Sequence, residues 1–119
     1  DFTYVDDIVE GVIRVLDRPA EPNPDYVSDT PDPGTSNAPY RVFNIGNHNP
    51  VQLLDYIGCV EQALGLKAQM NMLPLQDGDV PATYADVDAL RDWVGFTPAT
   101  DIRQGVQRFV DWYRGYYQV

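Results

Sequence analysis

The hydrophobic positions near the start of the chain follow a helical period. Between Asp6 and Pro19, apolar residues recur three and four positions apart, which predicts an amphipathic helix. Its predicted buried stripe consists of Ile8, Val9, Val12, Ile13 and Leu16. Asp6 and Asp7 stand at the start, where a carboxylate can cap free N–H groups and favours the positive end of the helix dipole.

The same period predicts a second helix after residue 48. Asn49 is the expected cap, Pro50 the first helical residue, and Gln52 can reach back as in a capping box. Gly65 suits the left-handed residue that ends a helix. The predicted stripe is Leu53, Leu54, Ile57, Val60 and Leu64.

Two more helices are predicted in the C-terminal third. Asp86 can cap a short helix that ends at Gly95, and Thr100 or Asp101 opens the last helix. The apolar members of the short helix are Leu90, Trp93 and Val94, and those of the last helix are Ile102, Val106, Phe109, Val110 and Tyr113.

Three segments read as strands. Residues 1–5 and 40–45 are rich in β-branched and aromatic residues, and residues 67–75 look extended. Strand, helix and strand then follow in order from residue 40, which indicates a βαβ unit. The expected fold class is therefore α/β, with helices on a small mixed or parallel sheet.

Residues 19–39 form a long segment without helical or strand periodicity. They hold six of the ten prolines. Loops of this length are usually functional or disordered, so the segment is either a mobile surface loop or a lid or subunit contact. No second domain boundary follows, and the 119 residues suit one domain.

Charge and composition exclude some functions. The net charge of −10 repels nucleic-acid phosphates and disfavours an anionic membrane surface. Cys59 is the only cysteine, so no internal disulfide can form. No apolar run approaches the roughly 20 residues that span a bilayer. We expect a soluble, cytoplasmic protein.

The chemistry that the chain lacks is also informative. A dinucleotide fingerprint needs three glycines within about six residues, whereas no two glycines here are closer than Gly58 and Gly65. The only lysine, Lys67, has Ala63 four residues before it, so the Tyr-x-x-x-Lys pair of short-chain dehydrogenases is missing. No serine lies in a nucleophile-elbow sequence.

Single polar residues have simple explanations. His48, the only histidine, is expected to be a solvated turn residue, and Cys59 a buried, inert thiol. The acidic residues from Asp86 to Asp92 lack the glycine of a calcium loop. Asp77-Gly78-Asp79 is either a plain turn or a turn whose carboxylate accepts hydrogen bonds from sugar hydroxyls. The residues alone indicate an α/β protein without a self-contained active site.

Several motifs in order resemble the C-terminal part of extended short-chain dehydrogenase/reductase nucleotide-sugar epimerases. They are residues 1–11 (DFTYVDDIVEG), 38–46 (APYRVFNIG), 49–57 (NPVQLLDYI), 78–80 (GDV) with Ala85-Asp86, 95–98 (GFTP) and 109–113 (FVDWY). Each motif alone is weak, but the series covers essentially residues 1–119. The Pro-rich loop and the ending are most similar to UDP-glucuronate 4-epimerases.

The resemblance implies a function for a longer parent protein. Such an enzyme interconverts UDP-glucuronate and UDP-galacturonate through a 4-keto intermediate formed with NAD. The NAD and the catalytic Tyr/Lys pair would belong to an N-terminal Rossmann domain outside this chain. The abrupt start of the sequence is expected to be a cut, and the isolated chain is expected to hold the UDP-sugar without catalysing the reaction.

Four substrate-binding residues follow from the resemblance: Phe2, Gln76, Asp79 and Thr83. Asp79 matches an acid that binds the uridine ribose, and Phe2 follows the position of a phosphate-binding Arg just before the chain. Gln76 stands where UDP-galactose epimerases carry a second such Arg, so its contact should be weaker. Thr83 replaces a larger Tyr in those relatives, which would make room for a C6 carboxylate.

Other readings stay open. Decarboxylase and dehydratase relatives share the fold and the 4-keto intermediate, and a free-standing binding or interaction domain belongs to a different class. The parent is expected to be a homodimer, and self-association of the isolated chain is expected through apolar surface left uncovered.

Overall fold

The computed structural model describes all 119 residues, and its regular elements are four helices. The helices are α1 (Val5–Asp17), α2 (Leu53–Leu64), α3 (Asp88–Val94) and α4 (Ile102–Tyr117). Helix α2 packs along α4, and α1 contacts α3. None of the four has both the length and the apolar character that crossing a membrane requires.

The local signals that end and begin helices are largely confirmed. Gly65 and Gly95 follow α2 and α3 in the left-handed conformation, with φ of 69° and 65°. Asp101 caps α4 as predicted, and its carboxylate accepts from the Arg103 N–H at 2.9 Å. The cap position of α3 is Val87 and not the predicted Asp86, although the Asp86 carboxylate accepts from the N–H of Asp88, the first residue of that helix, at 3.0 Å.

The predicted caps of α1 and α2 are wrong as well. Helix α1 begins at Val5, so Asp6 and Asp7 lie inside its first turn, where they still favour the helix dipole. The Asp7 carboxylate instead accepts hydrogen bonds from the main-chain N–H and the hydroxyl of Thr100, both at 2.9 Å. Helix α2 begins at Leu53 without a side-chain cap, four residues after the expected cap at Asn49.

The expected mixed or parallel sheet is wrong as well. The only β pairing is one isolated antiparallel bridge between Thr35 and Arg41. Residues 1–4 lead directly into α1, and residues 67–75 are exposed throughout. A strand persists only when a neighbouring strand pairs its N–H and C=O groups, and two strands alone are marginal. The chain supplies no such neighbours, so the β-rich segments form no ladder.

The buried core is small. One cluster lies between α2 and α4 and consists of Cys59, Val106 and Val110, so the predicted burial of Cys59 is confirmed. Val87 and Leu90, at the start of α3 and within it, are buried as well. Only 10 of the 119 residues are buried. The radius of gyration is 18.6 Å, whereas a compact domain of this length has about 13.5 Å. The fold is therefore open, with extents of 55 × 34 × 20 Å.

The predicted stripe of α1 faces solvent over most of its length. Val9, Val12, Ile13 and Leu16 are exposed, and Leu16 keeps 75% of its surface accessible. The helix packs through its other side, where a Cβ added to Gly11 would lie 3.2 Å from Ile45. The periodicity located the apolar face correctly, but no part of this chain covers that face.

The stripes of α2 and α4 are buried in part. Val106 and Val110 are buried as predicted. Leu53 and Leu54 at the start of α2, and Phe109 and Tyr113 on α4, are exposed. Each helix thus buries only the positions that face the other one.

The Pro-rich segment 19–39 contains no helix, as predicted, and is tied to itself. The Asn23 N–H donates to the Ser36 carbonyl at 2.8 Å, and the Asn23 side-chain amide donates to the Thr35 hydroxyl at 3.1 Å. The Gly34 N–H donates to the Asp32 carboxylate at 2.8 Å. These bonds close the segment into a folded loop of defined shape.

Candidate functional site

Three segments that are distant in the sequence meet at one open cavity of about 190 Å³. We call it the Asp1 cleft. Its lining residues are Asp1, Thr3, Ile45, Gly46, Thr83, Tyr84 and Ala85. The first segment precedes α1, the second follows the bridge at Arg41, and the third leads into α3.

Asp1 connects the three segments. Its Oδ2 accepts hydrogen bonds from the main-chain N–H groups of His48 and Ala85, at 3.2 and 3.1 Å. Its terminal ammonium donates to the carbonyl and the hydroxyl of Thr83, at 3.2 and 3.0 Å. Because the Thr83 hydroxyl accepts from Asp1, its own proton is available to a ligand.

His48 contacts the third segment through both nitrogens of its ring. Its Nδ1 lies 2.9 Å from the Ala85 carbonyl oxygen, and its Nε2 lies 2.8 Å from the Tyr84 hydroxyl. A carbonyl only accepts, so in the neutral ring Nδ1 carries the proton and Nε2 accepts from Tyr84. The two rings also pack with centroids 4.8 Å apart.

Gly46 allows the second and third segments to approach each other. A Cβ built on Gly46 would lie 2.3 Å from the Cβ of Ala85 and 3.0 Å from Oδ2 of Asp1. Both distances are shorter than normal contacts, so no larger residue fits without movement. The Asn44 side-chain amide adds a bond to the Asp86 carbonyl at 3.2 Å.

The structure separates the four predicted site residues into two groups. Thr83 lies in the Asp1 cleft, and Phe2 is next to Asp1 and stacks on Tyr56 with ring centroids 4.3 Å apart. Phe2 also lines a neighbouring cavity of about 150 Å³ beside the start of α4.

Gln76 and Asp79 lie outside the Asp1 cleft. They occupy an exposed turn in which the Asp79 N–H donates to the Gln76 carbonyl at 3.2 Å, with Gly78 between them at φ of 93°. Neither residue lines the Asp1 cleft together with Thr83, and the substrate roles of all four residues stay predictions.

Sequence reasoning missed the role of His48 and of Asp1 in holding this site. His48 was expected to be solvated, and it is exposed, but both of its ring nitrogens are hydrogen-bonded. Its partner Tyr84 is 36 positions away. No local pattern indicates such a pairing; the one signal is a lone histidine in a turn.

The chain lacks the strand, glycine-rich turn and helix that make up a Rossmann dinucleotide site. Such a site needs a strand that leads through a glycine-rich turn into a helix N-terminus. None of the four helices follows a strand. No group of three or more His, Cys, Asp and Glu side chains is placed to hold a metal ion.

The known proteins that are similar to this chain include UDP-glucuronate 4-epimerases. No protein-family model matches it. Protein CapI of Staphylococcus aureus is 52% identical over 118 residues, which are 99% of this chain and 35% of that protein. A probable UDP-glucuronate 4-epimerase of Rhizobium meliloti is 44% identical over 117 residues, 95% of this chain and 33% of that protein.

A plant relative shows the same pattern. UDP-glucuronate 4-epimerase 2 of Arabidopsis thaliana is 41% identical over 121 residues, 99% of this chain and 26% of that protein. The chain thus spans about a third of the length of the first curated relatives it matches. The resemblance to UDP-glucuronate 4-epimerases is confirmed, and the matches fit the C-terminal part of such an epimerase.

Proposed function

We propose that the chain is the substrate-holding, C-terminal part of an NAD-dependent UDP-glucuronate 4-epimerase, which interconverts UDP-glucuronate and UDP-galacturonate. The observation that carries the proposal is the match along nearly the whole chain to two relatives named for that activity, at 44% and 41% identity. The isolated chain is proposed to be inactive.

The exposed apolar surface supports a role within a longer protein. The α1 stripe of Val9, Val12, Ile13 and Leu16 is complete and amphipathic, yet it lies in solvent. Contiguous apolar surface that is exposed to solvent often marks an interface. We infer that the rest of the parent protein packs on part of this surface, and that the parent is a homodimer.

The cofactor would be held outside these residues, because the chain has no glycine-rich turn that could cradle a pyrophosphate. The work proposed for this chain is binding and orientation of the nucleotide sugar. Correct orientation lowers the barrier because the reacting groups no longer lose that freedom in the transition state.

Thr83 is the residue proposed to contact the sugar. Its side chain lines the Asp1 cleft, and the next residues, Tyr84 and Ala85, are hydrogen-bonded to His48 and Asp1. A threonine leaves more room than a tyrosine there, which would admit a C6 carboxylate. Asp79 is proposed to accept from the ribose hydroxyls, with weaker contacts from Gln76 and Phe2.

Replacement of Thr83 by Tyr in the full-length protein tests this assignment. We expect UDP, measured as a competitive inhibitor, to bind with unchanged affinity, while kcat/KM for UDP-glucuronate falls by about tenfold or more, as for a pocket that loses room for one group. The matched control is Thr97→Tyr, because Thr97 is exposed and lies away from the cleft. Unchanged turnover of UDP-glucuronate by the Thr83 variant would contradict the assignment.

A further inference from the structure

We propose that His48 is a positioning residue that acts on Thr83 through Tyr84 and Ala85. This inference rests on the proposed function, because it gives Thr83 a substrate to contact. His48 would touch no substrate itself, but it would influence which sugar is bound by fixing the position of Thr83.

The backbone of His48 is held in an unfavourable conformation. Its φ is +54°, and Gln118 at the end of α4 is the only other non-glycine residue with positive φ. Non-glycine residues adopt this region uncommonly, although His, Asn and Asp do so more often than others, and the surroundings must compensate for the cost. The Asp1 carboxylate supplies part of that compensation by accepting from the His48 N–H.

The imidazole uses both nitrogens on consecutive residues of the third segment. Nδ1 bonds to the carbonyl of Ala85 at 2.9 Å and Nε2 to the hydroxyl of Tyr84 at 2.8 Å. These two contacts fix the tautomer of the ring and the rotamer of Tyr84 together. Tyr84 is otherwise exposed, so the hydroxyl contact is the bond that orders it.

Thr83 is linked directly to this arrangement. It directly precedes Tyr84, whose hydroxyl bonds to His48, and Ala85, whose N–H donates to the Asp1 carboxylate, follows next. Residues 84 and 85 are therefore each bonded to Asp1 or His48. Every residue from 65 to 84 is exposed, so these bonds are what define the position of Thr83.

The kinetic test uses two variants in the full-length protein. His48→Asn removes the ring but keeps a residue that tolerates positive φ. Tyr84→Phe keeps the ring contact and removes the hydroxyl. We expect each to raise KM for UDP-glucuronate by about fivefold, the equivalent of one net hydrogen bond. We expect kcat to change less than about twofold, and the inhibition constant of UDP to stay unchanged, because only the sugar contact is loosened.

The double variant provides the sharper criterion. If both residues act through one contact, the double variant should raise KM no more than the larger single effect, whereas independent effects would multiply. Tyr117→Phe, on the exposed end of α4, is the control that should behave as wild type. Multiplying effects, an unchanged KM, or an equal rise in the UDP inhibition constant would each overturn the proposal.

A second measurement needs no substrate. His48 is the only histidine, so the ¹⁵N resonances of its ring in this 119-residue chain are unambiguous. We expect the proton on Nδ1, and a shifted Nε2 resonance in the Tyr84→Phe variant. A proton on Nε2 would overturn the contact itself. Absence of epimerase turnover in the wild-type protein would instead refute the proposed function, so the two failures are distinguishable.

Discussion

Replacement of Gly46 by Ala perturbs the tightest contact of the Asp1 cleft. The added methyl group would stand 2.3 Å from the Ala85 Cβ and 3.0 Å from Oδ2 of Asp1. Carbon atoms in normal contact are about 3.5–4.0 Å apart, so the two segments must separate by more than about 1 Å. That movement stretches the Asp1 bonds to His48 and Ala85, which are already 3.2 and 3.1 Å long.

The expected cost follows from overpacking. Inserting a methyl group into a close contact typically destabilises a fold by about 1–3 kcal/mol. Loss of the two bonds from Asp1 adds about 0.5–1.5 kcal/mol each where they break. We therefore expect Gly46→Ala to remove at least about 2 kcal/mol, which is a large share of the stability of a chain with only ten buried residues.

Gly58→Ala is the matched control. Gly58 lies inside α2, and nothing lies within 4 Å of its added Cβ. Alanine is favoured over glycine in a helix, so this variant should gain up to about 1 kcal/mol. Urea unfolding followed by circular dichroism measures both. A Gly46→Ala variant as stable as wild type would refute the close packing of residues 46 and 85.

Four further outcomes are expected. Leu90→Ala should cost about 2–5 kcal/mol in the same assay, because Leu90 is fully buried; a cost below about 1 kcal/mol would contradict its burial. The hydrogen bonds from Lys67 and the Ala68 N–H lower the pKa of Glu61, so its stabilising contribution is present above pH 4.5 and is lost as the pH falls through the lowered pKa. Glu61→Gln should remove that part of the pH dependence, and an unchanged profile would count against the ion pair. The isolated chain should show almost no shift in Tm with millimolar UDP, and a large shift would show a self-sufficient site. Light scattering should show concentration-dependent association through the exposed apolar stripes, whereas a monomer at high concentration would refute it.

The helices were predictable because their signals are local. The residues that end or begin these helices act within one turn of their own positions, as Gly65, Gly95 and Asp101 do. A window of about four or five residues is therefore enough to predict them. The caps at Asp6 and Asn49 failed for a related reason. A hydrophobic pattern predicts that a helix exists more reliably than it predicts the first residue of the helix. The carboxylate of Asp7 is also bonded to Thr100, which is distant in the sequence, and does not cap α1.

The absence of a sheet was not predictable from residue types alone. Strand propensity at residues 40–45 and 67–75 describes what those segments would do beside a neighbour, and β-propensity depends strongly on that context. The exposed stripe of α1 was unpredictable for the same reason, because periodicity identifies an apolar face but does not show which segment covers it.

The candidate site was predictable only in part. Thr83 was singled out, and it lies in the Asp1 cleft. The contacts that hold this segment join Asp1 to Thr83 and Ala85, which are more than 80 positions away in the sequence. A further contact joins His48 to Tyr84. Such pairings arise from the path of the chain in space, so residue types and spacing give no indication of them.

Product analysis of the full-length protein tests the central proposal most directly. Purified protein is incubated with UDP-glucuronate, and the nucleotide sugars are separated by chromatography and identified by mass and NMR. The proposal predicts UDP-galacturonate, of the same mass as the substrate, at equilibrium with it. A product lighter by one CO₂ or one water would indicate a decarboxylase or dehydratase, and an unchanged substrate would indicate a binding protein; each result would contradict the proposed epimerase.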